Sequence, residues 1–561
     1  MYTRLGLAFL VTVAVLAGCE SYYHEPAHFS DYIGLATQPA VTPAATSQVS
    51  PAASLGTQAP PTAPPASQPS TMPASLPVAG KALSLGVYDA ILMALENNRQ
   101  LIVQKQTPAI RRTVEQELVA FFDPVLTAQL AYQHERTDVT GRPVDRDLTT
   151  GSVGVSQNLP SGTTVGATLD VSHNSTPPTE LVSQRAGLSV TQALLRGYGT
   201  DVNLAAVRQA RLDSLATQYE LRGFAEALVA QVEQAYWNYA LTIRNIEVLT
   251  RSLELANQQL SEIRERIKVG KLAEIEVAAS DAEVARRREE LINGHSALAA
   301  ARLQLVRLIS PNTPDMWSRD VVLLNMPVPV VAGLEDIERH AQVAMRLRPD
   351  LNQARLAVSR GELEVIRTKN GLLPRLDAFM NLGKSSYSDS LCQATKEMFT
   401  DSNWDASVGL SLQLPVGNRA AEAVNQRAVL SKAQAADSVR NLEQLAQLDV
   451  RLAYLEVKRT WEQIGATAVT RRLQEESLRA ESEKFRVGKS TSLQVSQAQR
   501  DLLNAQIAEI IVATTYMRAV VDFYRVEGSL LVRRGIAAPG LESPAEAART
   551  IMTAPLQELR K

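Results

Sequence analysis

Gly488-Lys489-Ser490 has the residue order that closes a phosphate-binding loop, in which backbone amides and a lysine cradle phosphate oxygens. Such a loop needs a glycine five positions before Gly488, and that position is Glu483, so nucleotide binding is excluded. The six histidines, His24, His28, His134, His173, His295 and His340, stand at no metal-ligand spacing from one another or from Cys392. His24 and His28 are one helical turn apart but lie beside a proline-rich stretch, which makes them incidental. No nucleophile elbow, no supported pair of catalytic carboxylates and no zinc-protease helix is present. The residues therefore predict no enzyme, no catalytic site, no metal and no cofactor. One group remains whose context gives it chemistry, the thiol of Cys19.

Leu5 to Leu16 is an apolar run behind Arg4, too short to cross a bilayer comfortably, and Leu16-Ala17-Gly18-Cys19 follows at once. This is similar to a bacterial lipobox: small residues admit a peptidase, and the Cys19 thiol accepts a diacylglyceryl unit before cleavage leaves it at the new N-terminus. An ordinary signal peptide with a chance cysteine is the alternative. Glu20, in place of an aspartate, favours the outer membrane over retention at the inner one. Pro39 to Pro77 is almost entirely Pro, Ala, Thr, Ser and Gln, with too little apolar bulk to offset the entropy of ordering. It reads as a tether that could reach ~120 Å at ~3.1 Å per residue. Lys+Arg 57 against Asp+Glu 59 leaves a formal charge of -2, without the basic excess that a nucleic-acid backbone requires.

An internal repeat organises the rest. Ala235-Tyr236 recurs as Ala453-Tyr454, and Val269-Gly270-Lys271 as Val487-Gly488-Lys489, both at an offset of 218. Earlier in each half the offset is 250, as from Leu101 to Leu351 and from Pro124 to Pro374, so the first half carries 32 extra residues between Pro124 and Ala210. The predicted organisation is a signal peptide at 1–18, an anchor and tether at 19–80, a first repeat at 81–333, a second at 334–535 and a C-terminal tail at 536–561.

Each half reads as strands followed by two very long helices. Strands are predicted near 124–133, 151–159, 163–173 and 186–194 in the first half, and near 375–384 and 405–414 in the second. Leu126, Leu130 and Tyr132, or Val408, Leu410 and Leu412, alternate with small or polar residues. A soluble sandwich has the same period, but few segments of about ten residues with small polar second faces favour strands between lipid and a wet lumen. From Asp201 to Lys268 there is no proline, and one helix there would run ~100 Å at ~1.5 Å per residue. Tyr239, Ile246, Leu253, Leu260 and Ile267 fall seven apart, and Leu249, Ala256 and Ile263 make a second series, which is a coiled-coil seam. Helices resume to about Ile309, from about Arg419 to Arg486, and from about Ser492 to Val532. Arg471 and Gln474 interrupt the seam of the second half. Cys392 falls in a polar segment from Lys384 to Trp404 that reads as an external loop.

Gln192 to Asp201, reading QALLRGYGTD, resembles the strand-to-helix signature of TolC-family outer membrane factors, and Leu414-Pro415-Val416-Gly417 resembles its second-half counterpart. Ala193 stands where the family usually has proline. The resemblance spans roughly residues 83 to 533 and lies in the order of parts. It implies a mainly α chain with a membrane β-barrel, a duplicated unit of strands and a long helical hairpin, and a homotrimer whose helices form a periplasmic tunnel. Physics points the same way, because a few strands in lipid expose costly edges unless copies close the sheet. The expected role is a passive channel-tunnel for efflux or type I secretion, partnered by a periplasmic adaptor and an inner-membrane pump.

By itself, the glycine in Val269-Gly270-Lys271 and in Val487-Gly488-Lys489 marks a helical-hairpin turn. The resemblance makes these turns the adaptor-docking tips. It also places two aperture acids beyond the second tip, where this chain has Gln494 and Gln497. Glu276, equivalent to Gln494 in the first half, is a candidate substitute, with a solvated helix-face charge as the plainer alternative. Familiar members place four strands per protomer in a twelve-stranded barrel. The extra residues here predict six per protomer and eighteen in all, unless the added hairpin folds as a loop outside the wall. A coiled-coil lipoprotein that merely ties the outer membrane to periplasmic components is the rival function; a periplasmic adaptor would need one hairpin, and this chain has two.

Overall fold

The computed structural model describes residues 83–555 except 140–141, 177–178, 271, 310–316, 335, 401, 539 and 541–542. The signal peptide, Cys19, the tether and Lys271 lie outside the described residues. Each half places a pair of helices ahead of its long antiparallel strands, which corrects the expected order. The chain begins with β1 (Leu83–Leu85), α1 (Val87–Asn97) and α2 (Arg99–Val119), and the second half repeats the pair as α6 (Ile337–Leu347) and α7 (Pro349–Asn370) at the same offset of 250. Asn98 separates the first pair, its extended backbone ending α1 while its side chain accepts from the amides of Gln100 and Leu101 at 3.0 and 3.2 Å, an N-cap for α2. Arg348 is extended at the matching place, and Pro349 starts α7. α2 and α7 carry broad polar surfaces, so neither announces itself by an apolar stripe.

Six strands form one antiparallel sheet: β2 (Val125–Val139), β3 (Arg142–Asn158), β4 (Thr163–Thr176), β5 (Thr179–Ala193), β7 (Arg375–Ser388) and β8 (Trp404–Gln413), neighbours in that order. They correspond to the six predicted segments but run further at one end, because polar residues beyond the alternating stretch still pair, as Arg136 does opposite Asp145. The register separates two faces. Leu126 opposes Val155, Val153 opposes Leu169, Ala167 opposes Leu188, Leu188 opposes Leu382, and Met380 opposes Val408, giving a continuous apolar face. Thr127, Ser152, Thr168, Ser189, Asn381 and Ser407 lie on the other, polar face. The outward apolar residues run from Leu126 to Tyr132 on β2 and from Ala406 to Leu412 on β8, an extent in keeping with an apolar band ~25 Å tall. Among the described residues no helix is long and apolar enough to cross a membrane.

Beneath the sheet stand two helical hairpins. A short helix α3 (Thr200–Asn203) precedes α4 (Ala205–Lys268), and the continuous helix expected from Asp201 is broken at Leu204. The 64 residues of α4 return as α5 (Ile275–Ile309); α9 (Arg419–Arg486) and α10 (Ser492–Glu527) form the second hairpin. Leu249, Ala256, Leu260 and Ile263 of the predicted seam are buried. Arg471 breaks the second seam for a reason the structure supplies: it bridges to Glu475 on its own helix and to Glu509 on α10 at 2.7 Å.

The two ends of the first repeat meet where β1 pairs in parallel with β6 (Val321–Leu323). Tyr236, the repeated tyrosine, is fully buried there and donates to the carbonyls of Leu85 and Asn325 at 3.1 Å. The segment expected as a loop around Cys392 is a helix, α8 (Leu391–Thr400), with Ala394 and Met398 buried while Cys392 stays exposed. After α11 (Leu530–Arg533) the C-terminal tail carries α12 (Pro544–Thr553), which packs on α4 and α7, burying Ala548 with Leu212, Tyr219, Leu356 and Leu363.

Candidate functional site

Two features can act in passage through a membrane, the wall with its junction to the helices and the two hairpin tips. At the junction the signature residues leave β5 through Gly197 and Gly199, whose φ values of 87° and 98° are ones that favour glycine. Asn203 donates to the carbonyls of Pro160, Gly197 and Gly199 at 3.0, 2.9 and 3.0 Å, tying turn and loop together. Asn370 accepts from the Gly197 amide at 2.7 Å, linking the two halves. On the polar face, Arg185 passes over Gly383 to pair with both carboxylate oxygens of Asp405 at 2.6 Å, so β5 and β8 are bridged across β7. The guanidinium lies against Gly383, where a Cβ would fall 2.5 Å from it and would push the Arg185 side chain aside.

At the far end, Gly270 and Gly488 stand at φ 73° and 79° and end α4 and α9, as a hairpin turn demands. Val269 and Val487 are each 65% exposed, and just past the turns Ile275 and Leu493 are 79% and 66% exposed. Ile275 and Leu493 are related by the repeat offset of 218; that recurrence is the signal by which the sequence could have given them up. The tips are held to each other by a core of Ile263, Phe485 and Val495 and by Arg266, which lies 4.5 Å from the Phe485 ring centre.

Glu276 is half-buried and accepts a hydrogen bond from Ser492, joining the start of α5 to the start of α10. Gln494 is committed to capping: its side chain accepts from Ser490 at 2.7 Å and from the Thr491 amide at 3.3 Å. Gln497 is exposed. Nearby, Glu283 takes Arg287 at 2.7 Å and Arg500 of the other hairpin at 3.3 Å.

Buried ion pairs brace the middle of the helical body. Glu233 takes Arg534 at 2.6 Å, and Arg222 takes Glu226 at 3.3 Å while donating to the carbonyls of Gly540 and Gly528 at 2.9 and 3.0 Å. Burial pushes Glu226 up to about 7 from its ordinary 4.5, outweighing the attraction of Arg222. The folded state therefore favours the protonated acid. Its contribution to stability is complete below pH 4.5 and is lost as pH rises to about 7, by up to about 3 kcal/mol. Glu226→Gln is expected to flatten that part of the stability profile, measured as the helical melting temperature between pH 4.5 and 7.5.

Residues 341–529 match the family model described as outer membrane efflux protein. The chain is 23% identical over 350 residues to the outer membrane efflux protein BepC of Brucella suis, covering 60% of this chain and 71% of BepC. Its fold is similar to that of CusC (TM-score 0.60, 16% identity, 83% of this chain and 99% of CusC). It is equally similar to the CmeC outer membrane channel of Campylobacter jejuni (TM-score 0.60, 15% identity, 83% of this chain and 89% of CmeC). Residues 341–529 thus carry the likeness to outer membrane efflux proteins, and the fold of both repeats, a two-faced sheet with paired helical hairpins beneath it, is that of the CusC and CmeC structures.

Proposed function

We propose that three copies close one barrel and one helical tunnel, forming a passive exit duct that an inner-membrane pump reaches through a periplasmic adaptor. The observation that carries this reading is the sheet. One face is apolar across all six strands, the other is polar apart from Phe379, whose ring lies over Gly409, and β2 and β8 are left as open edges. Open edges in lipid leave N–H and C=O groups unpaired at several kcal/mol each, so the sheet must meet copies of itself. A lipoprotein that only tied two layers together would need no such wall.

The tips are the adaptor's docking surface in this reading. Val269, Ile275, Val487 and Leu493 present one exposed apolar pair per hairpin, and three copies would offer six pairs in near-equivalent settings to the apolar end of a partner hairpin. Gly270, Gly488 and Lys489 shape and rim this surface; Lys271, the repeat counterpart of Lys489, completes the docking set in this proposal. Glu276, fastened to Ser492, acts as a clasp between hairpins at the narrow end, alongside the exposed Gln497. Ile275→Asp with Leu493→Asp is expected to weaken binding of the adaptor encoded with this protein at least tenfold in a surface-capture assay, with detergent-purified trimer otherwise unchanged. Unaltered binding would remove the docking assignment.

The anchor follows from Leu16-Ala17-Gly18-Cys19. Cys19, diacylated, would hold the N-terminus in the outer membrane while the tether spans to the fold. Cys19→Ser should abolish incorporation of radiolabelled palmitate yet leave trimers in the outer-membrane fraction, because the closing edges lie elsewhere.

A further inference from the structure

We propose that β3 and β4, the hairpin found only in the first repeat, stand in the barrel wall, so that three copies close eighteen strands and the barrel is wider than the helical tunnel beneath it. This rests on the exit-duct reading. Four observations carry it. The ladders are unbroken, with β3 paired to β2 from Val125 opposite Ser156 outward and β4 paired to β5 from Thr163 opposite Gln192. β5 thus meets β7 along one edge and the added hairpin along the other, and β2, the strand that would otherwise close on β5, is held away from it by the hairpin.

The faces also agree. Val153 and Val155 of β3 and Leu169 of β4 continue the apolar face of Leu126, Leu188, Met380 and Val408, while Ser152 and Thr168 continue the polar one. An external loop would have no reason to carry an apolar face in register with the wall. Direction agrees as well: six alternating strands leave β2 and β8 running oppositely, so β8 of one copy can meet β2 of the next in the same antiparallel sense.

The fourth observation is a socket. The turn between β3 and β4 sits in the signature loop, where the Ala193 amide donates to Gly162 at 3.0 Å and the Gly199 amide to Ser161 at 3.2 Å, and Asn203 reaches Pro160. Gly162 stands at φ 87°, and a Cβ there would lie 2.2 Å from the Gly197 carbonyl oxygen. Proline at 193 would have no N–H to give. Alanine at that position and the added hairpin therefore belong to one another.

Barrel diameter grows roughly in proportion to strand number, so eighteen strands in place of twelve widen the barrel by about half and its cross-section about twofold. Each copy still supplies only two helical hairpins to the tunnel. The size limit on solutes then lies in the helices and not in the outer mouth.

The test uses the full-length protein in outer membranes with Cys392→Ser and one new cysteine at a time. An impermeant maleimide should label Ser152→Cys and Thr168→Cys, as it does the lumen control Ser407→Cys. Val153→Cys and Leu169→Cys should react only with a lipid-soluble maleimide, as does the control Val408→Cys. If Val153→Cys and Leu169→Cys react freely with the impermeant reagent while the two controls differ as stated, the hairpin lies outside the wall and the proposal fails with the duct intact. If the controls themselves do not differ, the duct reading fails and takes the proposal with it. Calibre is read independently of the tips by polymer maleimides of graded size reaching Ser411→Cys from outside. The largest polymer admitted should be about half again wider in the full chain than in a chain lacking residues 142–176. Equal limits would overturn the proposal, and the labelling pattern stands by itself if the shortened chain does not assemble.

Discussion

A chain carrying Gly270→Val and Gly488→Pro together is expected to export nothing measurable, a loss of at least a hundredfold in substrate efflux, while its trimers still reach the outer membrane. Both glycines stand at positive φ, 73° and 79°, and nothing lies within 4 Å of where a Cβ would be. The penalty is therefore one of backbone conformation and not of crowding. A β-branched residue held in the left-handed region costs on the order of 1–3 kcal/mol. Proline, locked near −65°, cannot adopt it at all. The turns must open, and with them go the settings of Val269 and Ile275 and of Val487 and Leu493. The rest of the molecule has little reason to follow, since the seam around Leu249, Ala256 and Leu260 and the mid-height core lie further up the helices. Gly270→Asn with Gly488→Asn is the control, because asparagine tolerates the left-handed region; it should retain most export. Full export from the Val and Pro double variant would detach the turns from docking.

Val408→Arg should prevent stable insertion, whereas Ser407→Arg, one residue away, should leave assembly intact and alter only permeation. Val408 is 80% exposed on the apolar face, opposite Met380 and near the middle of the apolar band. An arginine placed there in lipid costs about 2–4 kcal/mol, and three copies bear it three times. Ser407 points the other way, toward Asn381, which donates to it at 3.2 Å, so a charge there meets water. The measurement is the heat-modifiable trimer band after extraction of outer membranes. Equal loss from both variants would mean that the sheet does not separate lipid from lumen.

Much of this was legible before any coordinates. Period two in Leu126 to Tyr132 and in Val408 to Leu412, and period seven through Leu249, Ala256 and Ile263, are written in the residue types, because each side chain must face one solvent or one neighbour whatever the rest of the chain does. The repeat offsets, the turn glycines Gly270 and Gly488, and the surplus of 32 residues in the first half are likewise properties of the string alone. Where a residue's partner is remote, the string is silent. α2 and α7 have weak stripes because they bury narrow strips against α4 and α9, neighbours that only the fold supplies. Arg471 looked like a flaw in a seam until Glu509, on another helix, came within 2.7 Å. Glu276 meets its partner, Ser492 of the other hairpin, only when the two hairpins pack. The place of Ala193 depended on Gly162, a residue 31 positions earlier that arrives only when β4 pairs with β5. Local periodicity and turn chemistry determined which elements exist, since those energies are paid within a few residues; long-range pairing decided which buried charges, caps and turns meet, since loop closure brings together groups that no spacing rule relates.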